Sequence, residues 1–141
     1  MSDTIQLAPD ALVLLVGTAG SGKSTFAARH FAPGEVLSSD ALRALVAGDP
    51  ADQSASRAAF ARLHATLERR LLAGQLTVVD ATNVQAWARR RVIAAGLRHA
   101  RPVVAIVLAL PLEVALLRNA GRSAGRVPAA VVRRQDALLR R

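Results

Sequence analysis

The chain of 141 residues has no cysteine and no tyrosine, and only one methionine, one tryptophan and three phenylalanines. Lacking cysteine, it has no disulfide staples, no thiolate metal site and no cysteine nucleophile. Aromatic residues make up 3% (Phe26, Phe31, Phe60 and Trp87), too few for the stacking platform that single-strand binders commonly use. Acidic residues are also scarce, 10 against 19 basic ones, for a formal charge of +9. That balance favours polyanionic partners, nucleic acid above all, although solvated helix faces of an arginine-rich and alanine-rich chain absorb the same charge. Long apolar runs are missing too. The run from Ala11 to Val16 is too short for a membrane span or a signal peptide, so a soluble cytoplasmic protein with no membrane partner is expected. Finally, lysine is almost absent: Lys23 is the only one, and the other eighteen basic residues are arginine.

That single lysine lies in the most informative stretch, Gly17-Thr18-Ala19-Gly20-Ser21-Gly22-Lys23-Ser24-Thr25. It fits G-x-x-x-x-G-K-[ST], a phosphate-binding loop in which backbone N–H groups face a phosphate, the lysine reaches the outer phosphates and the hydroxyl meets Mg²⁺. The flanks agree. Ala11 to Val16 reads as a short, fully buried strand, and Ser24 to Phe31 continues as a helix whose N-terminus points at the anion.

Beyond the loop, strand and helix signals alternate. Ala32-Pro33-Gly34 stops the first helix, and Glu35–Ser38 reads as a second strand. Ser39 or Asp40 caps a helix from Ala41 to about Ala47, which Gly48-Asp49-Pro50 breaks. Phe60, Leu63, Leu67 and Leu71 fall at helical spacing within Ala55–Ala73, and Gly74 ends that helix. Gln75–Asp80 is a β-branched strand, with Ala81-Thr82-Asn83 as turn and cap. A helix from Val84 to about Ala100 is expected to turn Trp87, Val92, Ile93 and Leu97 inward and Arg89, Arg90 and Arg91 outward. Pro102–Leu110 is the most hydrophobic strand. It leads through Pro111 into a helix from Leu112 to about Asn119, then a flexible Ala120–Val127, then a last helix from Pro128 to Arg141. The alternation predicts one domain, residues 1–141, with a parallel four-stranded α/β sheet covered by helices on both faces.

Phosphoryl transfer needs an aligned acceptor and somewhere for its proton to go. Asp40, just past the carboxyl end of the second strand, is the candidate base, with a simple helix cap as the alternative. Arg43, three residues on, shares its side of the helix and suits a phosphate next to the acceptor hydroxyl. Asp80 ends its strand as a Walker-B carboxylate does and would order Mg²⁺ beside Ser24, or else forms a turn with Asn83. Arg118, Arg122 and Arg126, spaced by four in a glycine-interrupted stretch, read as a lid over about residues 118–127 that brings guanidinium groups to ATP. His30, His64 and His99 show no ligand spacing.

The loop, Ser38-Ser39-Asp40-Ala41-Leu42-Arg43, Asp52-Gln53, Val78-Val79-Asp80-Ala81-Thr82-Asn83 and the Arg118–Arg126 segment together resemble the kinase domain of bacterial polynucleotide kinase-phosphatase. More broadly, they resemble the polynucleotide-kinase-like branch of P-loop kinases, with AAA-type ATP binding. The resemblance runs from about Val13 to Arg134. It implies an adenylate-kinase-like P-loop NTPase fold and transfer of the γ-phosphate of ATP·Mg²⁺ to the 5′-hydroxyl of DNA or RNA. Carried over, Lys23 and Ser24 hold the phosphates and Mg²⁺, Asp40 is the base, Arg43 contacts the acceptor phosphate, and Arg122 and Arg126 are lid arginines. Two departures stand out. The gap between Arg122 and Arg126 is one residue longer than the family's, and the family domain continues into a further strand and helix where this sequence ends at Arg141. An unpaired sheet edge is therefore expected. Two alternatives share the donor half of the site: a kinase for a small hydroxylated molecule, and a non-catalytic ATP-binding module.

Overall fold

The computed structural model describes residues 5–42, 56–83, 85–122 and 127–140. In chain order the elements are β1 (Leu12–Val16), α1 (Lys23–His30), a 3-10 turn (Pro33–Glu35), β2 (Val36–Ser38), α2 (Ser56–Leu72), β3 (Thr77–Asp80), α3 (Ala86–Arg98), β4 (Val103–Val107), α4 (Leu112–Ala120) and α5 (Ala129–Leu139). The strands form one parallel sheet in the order β2-β3-β1-β4, the four-stranded α/β arrangement expected of a P-loop NTPase.

All five residues of β1 are buried, which explains why its sequence is continuously apolar rather than alternating. Leu12, Leu14 and Val16 face one side of the sheet, where Leu63, Leu67 and Leu71 of α2 and Val92 and Ala95 of α3 cover them. Val13 and Leu15 face the other side against Ala27, with Phe26 and Phe31 packed around them. A third cluster joins Ala19 of the glycine loop to Ala115 of α4 and Val132 of α5, fixing those two helices beside the loop.

The register sets where chemistry can occur. Leu15 lies opposite Asp80, and Asp80 opposite Ser38, so the carboxyl ends of β1, β3 and β2 stand side by side. The glycine loop, Asp80 and Asp40 all follow directly from those ends, where ligands of open parallel sheets bind.

Several expectations change on folding. Trp87 and Leu97 do not face inward; they are 50% and 68% exposed. Val92 is buried and Ile93 packs against the core, as expected, and Ala95 and Gly96 complete the buried stripe of α3. A Cβ on Gly96 would meet Val103 Cγ2 at 2.6 Å, so at this point the helix lies so near the sheet that only small residues fit between them. β4 is shorter than the hydrophobic run, and Val107 is exposed along it; among the described residues no strand pairs with its outer edge. The helix expected after Ser39 is present over residues 39–42, and Ser38 Oγ accepts the Ala41 N–H at 3.2 Å. Asn83 does not cap α3: that position falls to Gln85, without a side-chain bond. Ala120, read as flexible, is the last residue of α4, and α5 is bounded by Ala129 and Leu139. The expected elements between residues 43 and 55 lie outside the described residues.

Because Leu67 is fully buried and Leu97 is not, their truncations should separate sharply. Leu67→Ala should cost about 2–5 kcal/mol of folding stability, and Leu97→Ser should stay within about 0.5 kcal/mol of the parent in urea unfolding. Equal losses would place Leu97 in the core after all.

Candidate active site

The glycine loop is shaped by two positive-φ glycines. Gly20 (φ 82°) lies so close to α4 that a Cβ there would meet the Ala115 carbonyl oxygen at 2.3 Å. Gly22 (φ 90°) is the N-cap of α1. Of the loop residues, Ala19, Gly20, Gly22, Lys23, Ser24 and Thr25 line a cleft of about 960 Å³. Gly17, Thr18 and Ser21 do not. The Gly17 N–H donates to the Thr82 carbonyl at 2.9 Å, while Thr18 and Ser21 are buried beneath the loop. These three shape the loop from behind rather than facing the cleft.

Lys23 Nζ donates to the Thr18 carbonyl oxygen at 2.9 Å, lying over the loop it belongs to. Ser24 Oγ donates to Asp80 Oδ2 at 2.9 Å. Asp80 is 5% exposed, and burial raises its carboxyl above the ordinary range, with the nearby Asp40 adding to the effect. The Ser24 hydrogen bond and the charges of Lys23 and Arg122 pull the other way. A hydroxyl and a buried carboxylate that meet beside a phosphate loop form an oxygen donor set for a hard cation such as Mg²⁺. Among the described residues no group of three or more His, Cys, Asp or Glu side chains could hold a metal unaided.

Across the cleft, Arg122 Nη2 donates to Asp40 Oδ2 at 3.1 Å. Arg118 leans over the start of α1, where a Cβ on Gly22 would lie 3.2 Å from its Nη1. A cation at a helix N-terminus opposes the helix dipole unless an anion lies between them. Asp40, Lys23, Ser24, Asp80, Arg118 and Arg122 thus border one cleft. Arg43 and Arg126 lie outside the described residues.

Three contributors were not read from the sequence in these roles. Asn83, held at a positive φ of 51°, donates Nδ2 to the Leu15 carbonyl at 2.8 Å, tying β3 to β1 directly behind the loop. Asn119 pins Val127 in both directions: Nδ2 donates to the Val127 carbonyl at 2.7 Å and Oδ1 accepts its N–H at 3.0 Å. Gln135 of α5 accepts the Ala19 N–H on Oε1 at 2.8 Å. Asn83 falls in a Val-Val-Asp-Ala-Thr-Asn block visible in sequence, but its partner is 68 residues away. The arginine triplet is also divided. Arg89 Nη1 donates to the Asn83 carbonyl at 2.9 Å, Arg90 is exposed, and Arg91 lines the cleft.

Comparison with known proteins agrees with this geometry. Residues 12–141 match the family described as AAA domain (AAA_33). No curated protein matches the chain. Among solved structures, a chain of the Pnkp1/Rnl/Hen1 complex aligns with a TM-score of 0.65 at 25% identity, over 83% of this chain and 41% of that one. A chain of the Pnkp1/Rnl/Hen1 RNA repair complex aligns with a TM-score of 0.77 at 21% identity, over 98% and 46% respectively, a likeness of fold. The present chain spans less than half the length of either.

The raised carboxyl of Asp80 has a thermodynamic consequence. The native protein binds this proton more tightly than the unfolded chain, so stability falls as pH rises from the ordinary carboxylate range through the raised value. Asp80→Asn removes the buried charge and keeps an acceptor for Ser24. In EDTA at neutral pH the variant should melt higher than the parent, and the difference should shrink as pH is lowered toward about 4. A melting difference that does not change with pH would show that burial of this charge costs nothing.

Proposed function

The chain belongs to the AAA domain (AAA_33) family, and on that premise we propose that it is an ATP-dependent kinase that transfers the γ-phosphate of ATP to the 5′-hydroxyl end of a polynucleotide. One observation carries the reading: the phosphate loop with Lys23, the Ser24–Asp80 pair and the Asp40–Arg122 pair all open into the same cleft. A donor cradle and a carboxylate across from it are what a phosphotransferase needs. The polynucleotide acceptor is supported by the charge of +9 and by the RNA repair complex among the structural neighbours.

In this reading the loop amides around Gly20 and Gly22 and the N-terminus of α1 receive the β- and γ-phosphates of ATP. Lys23 swings from the Thr18 carbonyl to those phosphates, and Arg118 and Arg122 neutralise the charge that spreads over the γ-phosphoryl oxygens during transfer. Arg126 completes the same lid. Ser24 and Asp80 would hold Mg²⁺, which would supply positive charge against the charge of the phosphates. Once Arg122 turns toward phosphate, Asp40 accepts the proton of the 5′-hydroxyl. The hydroxyl oxygen bonds to the γ-phosphorus as the bond to the β,γ-bridging oxygen breaks, and ADP leaves. Arg43 grips the acceptor phosphate next to the reacting sugar. No described helix is long and apolar enough to cross a membrane.

An acceptor screen with ATP·Mg²⁺ tests the proposal. Labelled γ-phosphate should pass to 5′-OH oligonucleotides and not to nucleosides or sugars. Asp40→Asn should lower kcat about 10²–10⁴-fold, Lys23→Ala should abolish transfer, and Arg43→Ala should raise the acceptor KM. Transfer to nucleosides or sugars with oligonucleotides inert would establish the small-molecule class. ATP binding with no transfer to any acceptor would establish a regulatory module.

A further inference from the structure

Trp87 is the only tryptophan in the chain, and it is half-exposed on the first turn of α3. Among the described residues six other large apolar side chains are also exposed, Leu72, Leu97 and Leu117 among them, yet Trp87 alone of that set borders the cleft that holds Lys23, Asp40 and Asp80. Exposed apolar area in a polar cleft marks a place where a ligand completes the surface.

Its surroundings state what kind of ligand. Arg91, one turn further along α3, lies on the same side of the helix as Trp87 and lines the same cleft. Arg57 and Phe60 of α2 line it as well. None of the described α2 and α3 residues at the cleft is acidic. Phe60 is anchored in the core beneath, while Arg57 and Arg91 are exposed. An aromatic face with guanidinium groups beside it suits a nucleobase and the phosphates that follow it.

The topology separates this wall from the donor side. α4 and α5 pack with the glycine loop through Ala19, Ala115 and Val132, and Gln135 is bonded to that loop. α2 packs over β2 and β3, the strands whose ends carry Asp40 and Asp80, and α3 packs against α2 and over β1 and β4. Trp87 lines the same cleft as Asp40, so a group stacked on the indole shares that cleft with the proposed base.

We propose that Trp87 is the stacking platform for a base at the 5′ end of the acceptor, with Arg91 and Arg57 receiving the phosphates of the following nucleotides, and that this makes the protein select an unpaired, single-stranded end. The inference rests on the polynucleotide reading above and specifies its substrate. In a duplex the terminal base is fixed in its pair, and turning it onto the indole would cost that pairing. In a single strand the base is free to turn and stack.

The full chain reports on the contact by itself, because it has one tryptophan and no tyrosine, so its emission comes from Trp87. Without ATP, a short single-stranded 5′-OH oligonucleotide should quench that emission. The same strand with an abasic 5′-terminal nucleotide should quench less and bind about 5- to 100-fold more weakly. In the kinase assay, Trp87→Ala should raise the acceptor KM by a similar factor, with the loss falling in KM rather than kcat, and Trp87→Phe should recover most of it. Trp87→Ala should leave the KM of the abasic acceptor unmoved and narrow the preference for single strand over blunt duplex. Equal quenching by intact and abasic strands, or equal loss with both acceptors, would overturn the stacking role while leaving the kinase reading intact. If the parent phosphorylates no oligonucleotide at all, the kinase reading falls and this inference falls with it.

Discussion

The structure depends on the alignment of three strand ends. Leu15, Asp80 and Ser38 are neighbours across the sheet, and Asn83 reaches from the end of β3 to bond the carbonyl of Leu15. Those parallel ladders and that one amide bring together a glycine loop, the buried carboxylate of Asp80 and the half-buried carboxylate of Asp40, which are far apart in the chain. Because β1 is buried on both faces, the loop that follows it has a rigid base. A loop whose geometry requires positive φ at Gly20 and Gly22 needs such a base to hold its shape.

Three electrostatic features of the cleft oppose one another or the fold. Burial opposes the charge of Asp80, Arg118 stands over a helix N-terminus, and Arg122 is bonded to Asp40 across the cleft. Under the proposed function each of these arrangements would be relieved by polyphosphate and a divalent cation. The cation would favour the ionised Asp80, and the phosphates would lie between Arg118 and the start of α1. The charges of the cleft are thus set for a ligand rather than for stability alone.

Packing explains why Trp87 ends up where it does. α3 approaches the sheet so closely that Val92, Ala95 and Gly96 make the contact, with Gly96 against Leu12 and Val103. Trp87 and Leu97 are then left out of the interface while Ile93 still packs at its edge, and Trp87 lines the cleft. A composition with only 3% aromatics excludes an extended stacking surface. It does not exclude a single platform, and one platform is enough for one terminal base.

The phosphate loop, the order of strands and helices, and the positions of Asp40 and Asp80 at strand ends were legible in the sequence. They follow from local rules: glycine where φ is positive, proline and glycine where elements stop, and apolar runs where both sheet faces are covered. What only the tertiary structure decided involves partners distant in the chain. Arg122 meets Asp40 across 82 residues, Asn83 meets Leu15 across 68, and Gln135 meets Ala19 across 116. The buried face of α3 belongs to the same class. Periodicity offers more than one apolar stripe, and the distance of closest approach between helix and sheet selects the one made of small side chains.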